Sequence, residues 1–151
     1  MTDPVTGRAE ATIARPPSEV FAAVADITQM GKWSPETVAC RWVDGGQTLG
    51  ATFEGDNVAA LGPITLKRWT TVSEVTAYDE PSVFEFVAED TTTWRFQFSP
   101  EGDGTRVVES FTHPGVGGFQ RVLYNMLGSR RKAMVKGMEE TLGRLKASLE
   151  G

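Results

Sequence analysis

From about Phe119 to Leu149 one signal repeats. Phe119, Leu123, Met126, Leu127, Met134, Met138, Leu142, Leu145 and Leu149 recur at three- and four-residue intervals, while Glu139, Glu140, Arg144 and Lys146 fall mostly off that stripe. The period predicts one apolar face on a long α-helix. Gly128-Ser129 marks a point where that helix can kink or divide. A helix of this length with a single apolar stripe needs a large surface to lie on. The rest of the chain offers only one kind of surface, a sheet.

The strands are read from period-two alternation and turn residues. Residues 8–14 place Ala9, Ala11 and Ile13 on one face. Pro16-Pro17 ends that strand and opens a short helix through Val20, Phe21 and Val24. Asp26 caps a second short piece through Ile27 and Met30, which Gly31 and Trp33-Ser34-Pro35 break. Six further strands are expected at Thr37–Val43, Ala51–Ala60, Ile64–Tyr78, Val83–Glu89, Thr93–Phe98 and Thr105–Thr112, with Ser99–Gly104 as a hairpin loop. Consecutive strands joined mostly by short turns favour an antiparallel meander.

Composition narrows the function classes. The 151 residues fit one domain, 1–151, with an ordinary globular balance of 40% hydrophobic and 23% charged residues. A net charge of -5 argues against general nucleic-acid binding, which needs a basic surface. One cysteine, Cys40, and one histidine, His113, leave no disulfide, no cysteine-based zinc cluster and no multi-histidine metal site. No metal and no cofactor is expected. Met1-Thr2-Asp3-Pro4 lacks a signal-peptide pattern, and no apolar run reaches the roughly 20 residues of a membrane span. A cytoplasmic location without integral membrane association is the expectation, as a monomer or weak homodimer.

The order strand, two short helices, six strands, long helix resembles the helix-grip arrangement of the START/polyketide-cyclase (SRPBCC) superfamily. The small bacterial cyclase/dehydrase-like branch is similar in Ile13-Ala14-Arg15-Pro16, Glu19-Val20-Phe21, Asp26-Ile27 and Trp33-Ser34-Pro35-Glu36. The likeness continues through Gly50–Asn57, Trp69, Glu74-Val75, Pro81, Trp94, Gly104–Val107, Glu109-Ser110 and Thr141–Lys146. It implies an α+β fold, a curved antiparallel sheet of about seven strands around the C-terminal helix, enclosing a cavity for a small hydrophobic ligand. Related folds carry sterols, phospholipids, plant hormones or ubiquinone, and some cyclise polyketides, so the fold leaves the reaction open.

The alternation points specific side chains at such a cavity. Phe53, Gly55 and Asn57 share a strand face opposite Thr52, Glu54 and Asp56, which turns the Asn57 amide inward. Its partner is either a ligand or, more often for such a residue, backbone or water. Glu109 lies inward if Val107 and Phe111 do, and outward if Val108 does. Inward, its carboxyl would have a raised pKa, suited to acid–base work or to pairing with Arg68, Arg95 or another cation. Glu109 and Asn57 are the weak catalytic candidates. The remaining expected pocket residues are Trp33, Phe53, Trp69, Phe84, Phe86, Trp94, Phe96 and Phe111, with Leu123, Met126, Leu127 and Met134 from the helix. Aromatic walls and flexible methionines suit apolar ligands, although each also serves plain core packing.

Other motifs carry less. His113 has no serine or cysteine in a nucleophile motif nearby, and Gly115-Val116-Gly117-Gly118 lacks the P-loop lysine. Cys40 reads as an inert, partly buried thiol. Arg130, Arg131, Lys132 and Lys136 form a basic cluster that usually means a solvated helix face, and less often a dock for acidic lipid or protein. Three functions follow: carriage of a hydrophobic ligand of lipid, polyketide or isoprenoid type, aromatase/cyclase-type catalysis, or a protein-interaction or chaperone-like module.

Overall fold

A computed structural model describes residues 4–61, 63–114 and 130–151. Seven strands form one antiparallel sheet in the order β1-β7-β6-β5-β4-β3-β2. They are β1 (Val5–Ile13), β2 (Thr37–Asp44), β3 (Thr52–Leu61), β4 (Ile64–Asp79), β5 (Val83–Ala88), β6 (Thr92–Glu101) and β7 (Gly104–His113). Strands β2 to β7 make the expected meander, and β1 adds to its far end by pairing with β7 from Val5↔His113 to Ile13↔Thr105. Between β1 and β2 stand a helix α1 (Pro17–Ala25) and a 3₁₀ turn (Ile27–Lys32). The C-terminal helix α2 runs Arg130–Glu150. This is the helix-grip architecture. The part of the expected helix from Phe119 to Ser129 lies outside the described residues.

Local chemistry accounts for the elements. Pro17 opens α1, where a missing N–H costs nothing. Asp26 caps the 3₁₀ turn by accepting from the Thr28 backbone N–H and hydroxyl. Gly31, expected as a breaker, stays inside that turn: a Cβ there would sit 2.2 Å from the Val38 carbonyl oxygen, so glycine permits the close crossing of β2. The hairpin expected at Ser99–Gly104 is tighter, because β6 continues to Glu101 and turns at Gly102-Asp103, with Gly102 at φ 58°. Pro100 is tolerated in β6 because β5 has already ended its pairing at Val83↔Gln97, so its missing N–H leaves no ladder bond unmade on that side.

Helix α2 lies along β1. Near one end Arg131 Nε donates to the Thr6 carbonyl. At the other end Lys146 Nζ donates to the Thr12 carbonyl, and Glu150 accepts from the Ala14 N–H. The two elements therefore run parallel. Their lengths match: the eight residue steps from Thr6 to Ala14 span roughly 26 Å at about 3.3 Å each, and the nineteen helical steps from Arg131 to Glu150 roughly 28 Å. Met138, Thr141, Leu142 and Leu145 form the buried stripe of α2.

Candidate functional site

The concave face of the sheet divides into two parts. From β3 to β6 it is occupied by aromatic rings in edge contact. Phe53 meets Phe86 at 5.1 Å and Trp42 at 5.7 Å between centroids; Phe21 of α1 meets Tyr78 at 5.3 Å and Phe98 at 5.5 Å. Phe84 lies against Phe86 and Tyr78, and Phe96 stacks beside Phe98. Edge-to-face pairs of this kind each add about 0.5–1.5 kcal/mol beyond area burial. Of the expected pocket residues, Phe53, Phe84, Phe86 and Phe96 are thus joined in one packed core, and Trp33 is buried in the same cluster behind the 3₁₀ turn.

Asn57 is inward and 6% exposed. Its Oδ1 accepts from the Thr37 hydroxyl at 2.7 Å, and its Nδ2 lies 3.2 Å from both the Gly55 carbonyl and the Thr71 hydroxyl. Protein groups therefore meet both ends of this amide. Trp69, opposite Asn57 in the β3–β4 ladder, is half-buried with the Lys67 ammonium 5.3 Å from its ring centroid. It lies toward the open end of β4, away from the ring cluster.

The second part, toward β1, β7 and α2, differs. The phase of β7 left open by the sequence resolves with Thr105, Val107, Glu109 and Phe111 buried and Val108 half-buried. Glu109 is flanked in the ladder by Ala9 of β1 and Phe96 of β6. Its Oε1 is fully buried and has no hydrogen-bond partner among the described residues. Burial alone pushes the carboxyl up to about 8. The expected pairing with a cation is absent among the described residues: Arg95 instead binds Glu85 at 2.7 Å, and Arg68 is exposed on β4. The reason is the alternation itself, which sends Arg95 and Glu85 to the opposite face from Phe96 and Phe84. Trp94 and Phe111 sit beside this part with rings 5.6 Å apart, and Met134 of α2 is half-buried. Leu123, Met126 and Leu127 lie outside the described residues.

At the start of β1 and the end of β7, a cleft of about 560 Å³ opens against α2. Its strand lining is Thr6–Arg8 and Ser110–Thr112; its helix lining includes Arg131, Lys132, Val135, Lys136 and Glu139. Of the expected pocket residues that are described, only Phe111 is among them. In the sequence the basic cluster reads first as a solvated face, and nothing in the strand pattern singles out Gly7. The available signal is the glycine itself: inside a strand it marks close approach of another group. A Cβ at Gly7 would sit 2.6 Å from the Phe111 ring and 2.8 Å from a Val135 methyl. Cys40 is buried beside the Met30 sulfur at 3.8 Å, its thiol pushed up to about 11, chiefly by desolvation. Among the described residues no three His, Cys, Asp or Glu side chains come together as a metal site, and no helix is long and apolar enough to cross a membrane.

A seven-stranded antiparallel sheet gripping a C-terminal helix, with short helical pieces after β1, defines a helix-grip protein. The chain belongs to the polyketide cyclase/dehydrase and lipid transport family, whose pattern matches residues 4–150. It is 31% identical to the Polyketide_cyc-like protein Cgl2372 of Corynebacterium glutamicum, covering 99% of this chain and 94% of that one at a TM-score of 0.66. TTHA0849 of Thermus thermophilus shares the fold at 24% identity and TM-score 0.69, over 95% and 96% of the two chains. Ara h 8.0201 shares it at 17% identity and TM-score 0.60, over 93% and 99%. No curated protein matches the chain. The family and fold support hydrophobic-ligand binding in general.

Proposed function

We propose that this chain is one helix-grip domain, residues 1–151, that binds a small hydrophobic ligand of lipid, polyketide or isoprenoid type between the sheet and the C-terminal helix. One observation supports the reading: the Glu109 carboxyl, 5% exposed and with an Oε1 that has no partner among the described residues, on an inner face otherwise built of Val107, Phe111, Ala9 and Phe96. A buried polar atom without a partner costs about 1–3 kcal/mol. A ligand carbonyl or hydroxyl reaching Glu109 would remove that cost. The site would be walled by Trp94, Phe111 and Met134, with Leu123, Met126 and Leu127 as further helix candidates. Trp33, Phe53, Asn57, Trp69, Phe84, Phe86 and Phe96 take part by shaping the sheet beneath it. A cytoplasmic monomer or weak homodimer is the accompanying expectation.

Native mass spectrometry of the purified protein, followed by titration with the neutral fluorophore 1-aminoanthracene, tests the reading. A retained small-molecule mass, or saturable one-site binding weakened by Glu109→Leu and restored by Glu109→Gln, is expected. Absence of both overturns it. A second reading, cyclase-type catalysis, is favoured by the raised Glu109 carboxyl, which near neutral pH keeps a proton to donate to a ligand carbonyl. Loss of water from a poly-β-keto chain incubated with the protein, abolished by Glu109→Gln, separates catalysis from carriage.

A further inference from the structure

The cleft between the β1–β7 end of the sheet and α2 has an apolar floor and a cationic rim. Gly7, Phe111 and Val135 meet at the floor, where the missing Cβ of Gly7 lets ring and methyl close together. On the helix side stand Arg131, Lys132 and Lys136, against a single acid among the described lining residues, Glu139, while the Arg8 side chain alternates with Gly7 onto the other face of the sheet. This is a local inversion, because the whole chain carries a net charge of -5. Arg8 is engaged by Glu10 at 2.9 Å, whereas no ion pair among the described residues involves Arg131, Lys132 or Lys136. Ser110 and Thr112 line the cleft only through the strand backbone, because their side chains alternate with Phe111 onto the other face of the sheet. Phe111 belongs both to the cleft floor and to the inner face of β7, where the next inward residue is Glu109. A guest could therefore place its charged end among the cations while its apolar body follows Phe111 inward.

We propose that the ligand is an amphiphile with one anionic head, carboxylate or phosphate, and that the Lys132 and Lys136 ammonium groups hold that head in the cleft. This rests on the hydrophobic-ligand reading above and specifies its ligand class. Charge-assisted hydrogen bonds contribute more than neutral ones, and exposure of the lysines screens them, so an advantage of about tenfold over a neutral head is expected.

Calorimetry at neutral pH with dodecanoate, dodecan-1-ol and inorganic phosphate tests it, on the native protein and on Lys132→Glu/Lys136→Glu, whose changes fall on exposed positions. The native protein should bind dodecanoate about tenfold more tightly than dodecan-1-ol. The double variant should lose that preference while keeping its dodecan-1-ol affinity, and amide shifts at Ser110 and Thr112 should follow dodecanoate. Equal affinity for the two chains, or an unchanged preference in the variant, overturns the anionic head and leaves the hydrophobic reading standing. Binding of neither chain removes both. Saturation by phosphate alone, without dodecanoate, or charge-dependent adsorption to phosphatidylglycerol vesicles without uptake of dodecanoate, overturns the amphiphile.

Discussion

Glu109→Gln should abolish a pH dependence that the native protein carries between about pH 5 and pH 8. An ordinary glutamate ionises near 4.5, and the folded chain holds this one to about 8 by burial. A group whose folded pKa is raised contributes its full stability below the unfolded value and loses it as pH rises through the folded one. Below 4.5 the proton is bound in both states and burial carries no ionic cost. Between 4.5 and 8 only the unfolded chain gives up the proton, at about 1.36 kcal/mol per pH unit. The loss is therefore about 3 kcal/mol at pH 7 and about 5 kcal/mol above pH 8, to order of magnitude. The amide that replaces the carboxyl in the variant is itself short of partners, but that penalty of about 1–3 kcal/mol does not vary with pH and appears as an offset, not a slope. Glu10, Asp56 and Glu150, all held low by arginine or lysine neighbours, titrate alike in both proteins and cancel in the difference. Urea unfolding followed by tryptophan fluorescence at one-unit pH steps reads the difference directly. The native protein should fall relative to the variant by about 1 kcal/mol per pH unit from 5 to 8. Parallel curves over that range would refute the burial argument and, with it, the neutral acid on which the proposed function depends.

Asn57→Leu should destabilise the fold by about 1–3 kcal/mol, because it strands the Thr37 and Thr71 hydroxyls that the amide now joins; urea midpoints check it, and a change in ligand affinity without loss of stability would contradict the structural role. Gly7→Val should cost about 1–3 kcal/mol and alter the packing of α2 on β1, since any Cβ there meets Phe111 and Val135; a thermal melt with near-ultraviolet circular dichroism reads both effects. Cys40, raised to about 11, should resist a disulfide reagent at pH 8 in the folded protein and react promptly in urea; fast labelling of the native state would show the thiol more accessible than its burial implies.

Much of the fold was legible because alternation and turn chemistry agree along most of the chain. Residues 37–88 place four strands within a residue or two of their observed ends, and Asp26 caps the turn expected of it. Pro100 misled because proline usually ends a strand, whereas here β5 stops short and leaves that side of β6 without a partner. The clustering of Phe53, Phe84, Phe86 and Phe96 also followed from phase, yet phase says only that rings face inward. Whether inward rings meet each other or leave a space depends on sheet curvature and on Phe21 and Tyr78 arriving from elsewhere, which no single strand records.

Glu109 marks where reading one strand at a time must stop. In Val107-Val108-Glu109 either valine suits a core, so local alternation has two solutions, one burying the carboxyl and one hydrating it. Solvation favours the second. The register with neighbours decides for the first, because Val107 pairs with Phe98 and Phe111 with Trp94 on β6, while Gly7 and Ala9 on β1 leave room above the same face. Turning Glu109 outward would turn Thr105, Val107 and Phe111 outward with it. At about 1.5–3 kcal/mol for each large apolar side chain taken out of the core, Val107 and Phe111 together outweigh the unpaired oxygen. The acid is thus held in the core by the strand's apolar residues, and its lack of a partner follows from the register that places them there. A ligand that binds this oxygen gains the desolvation already completed by folding, which is why the unpartnered carboxyl, more than the ring cluster beside it, directs attention to this end of the sheet.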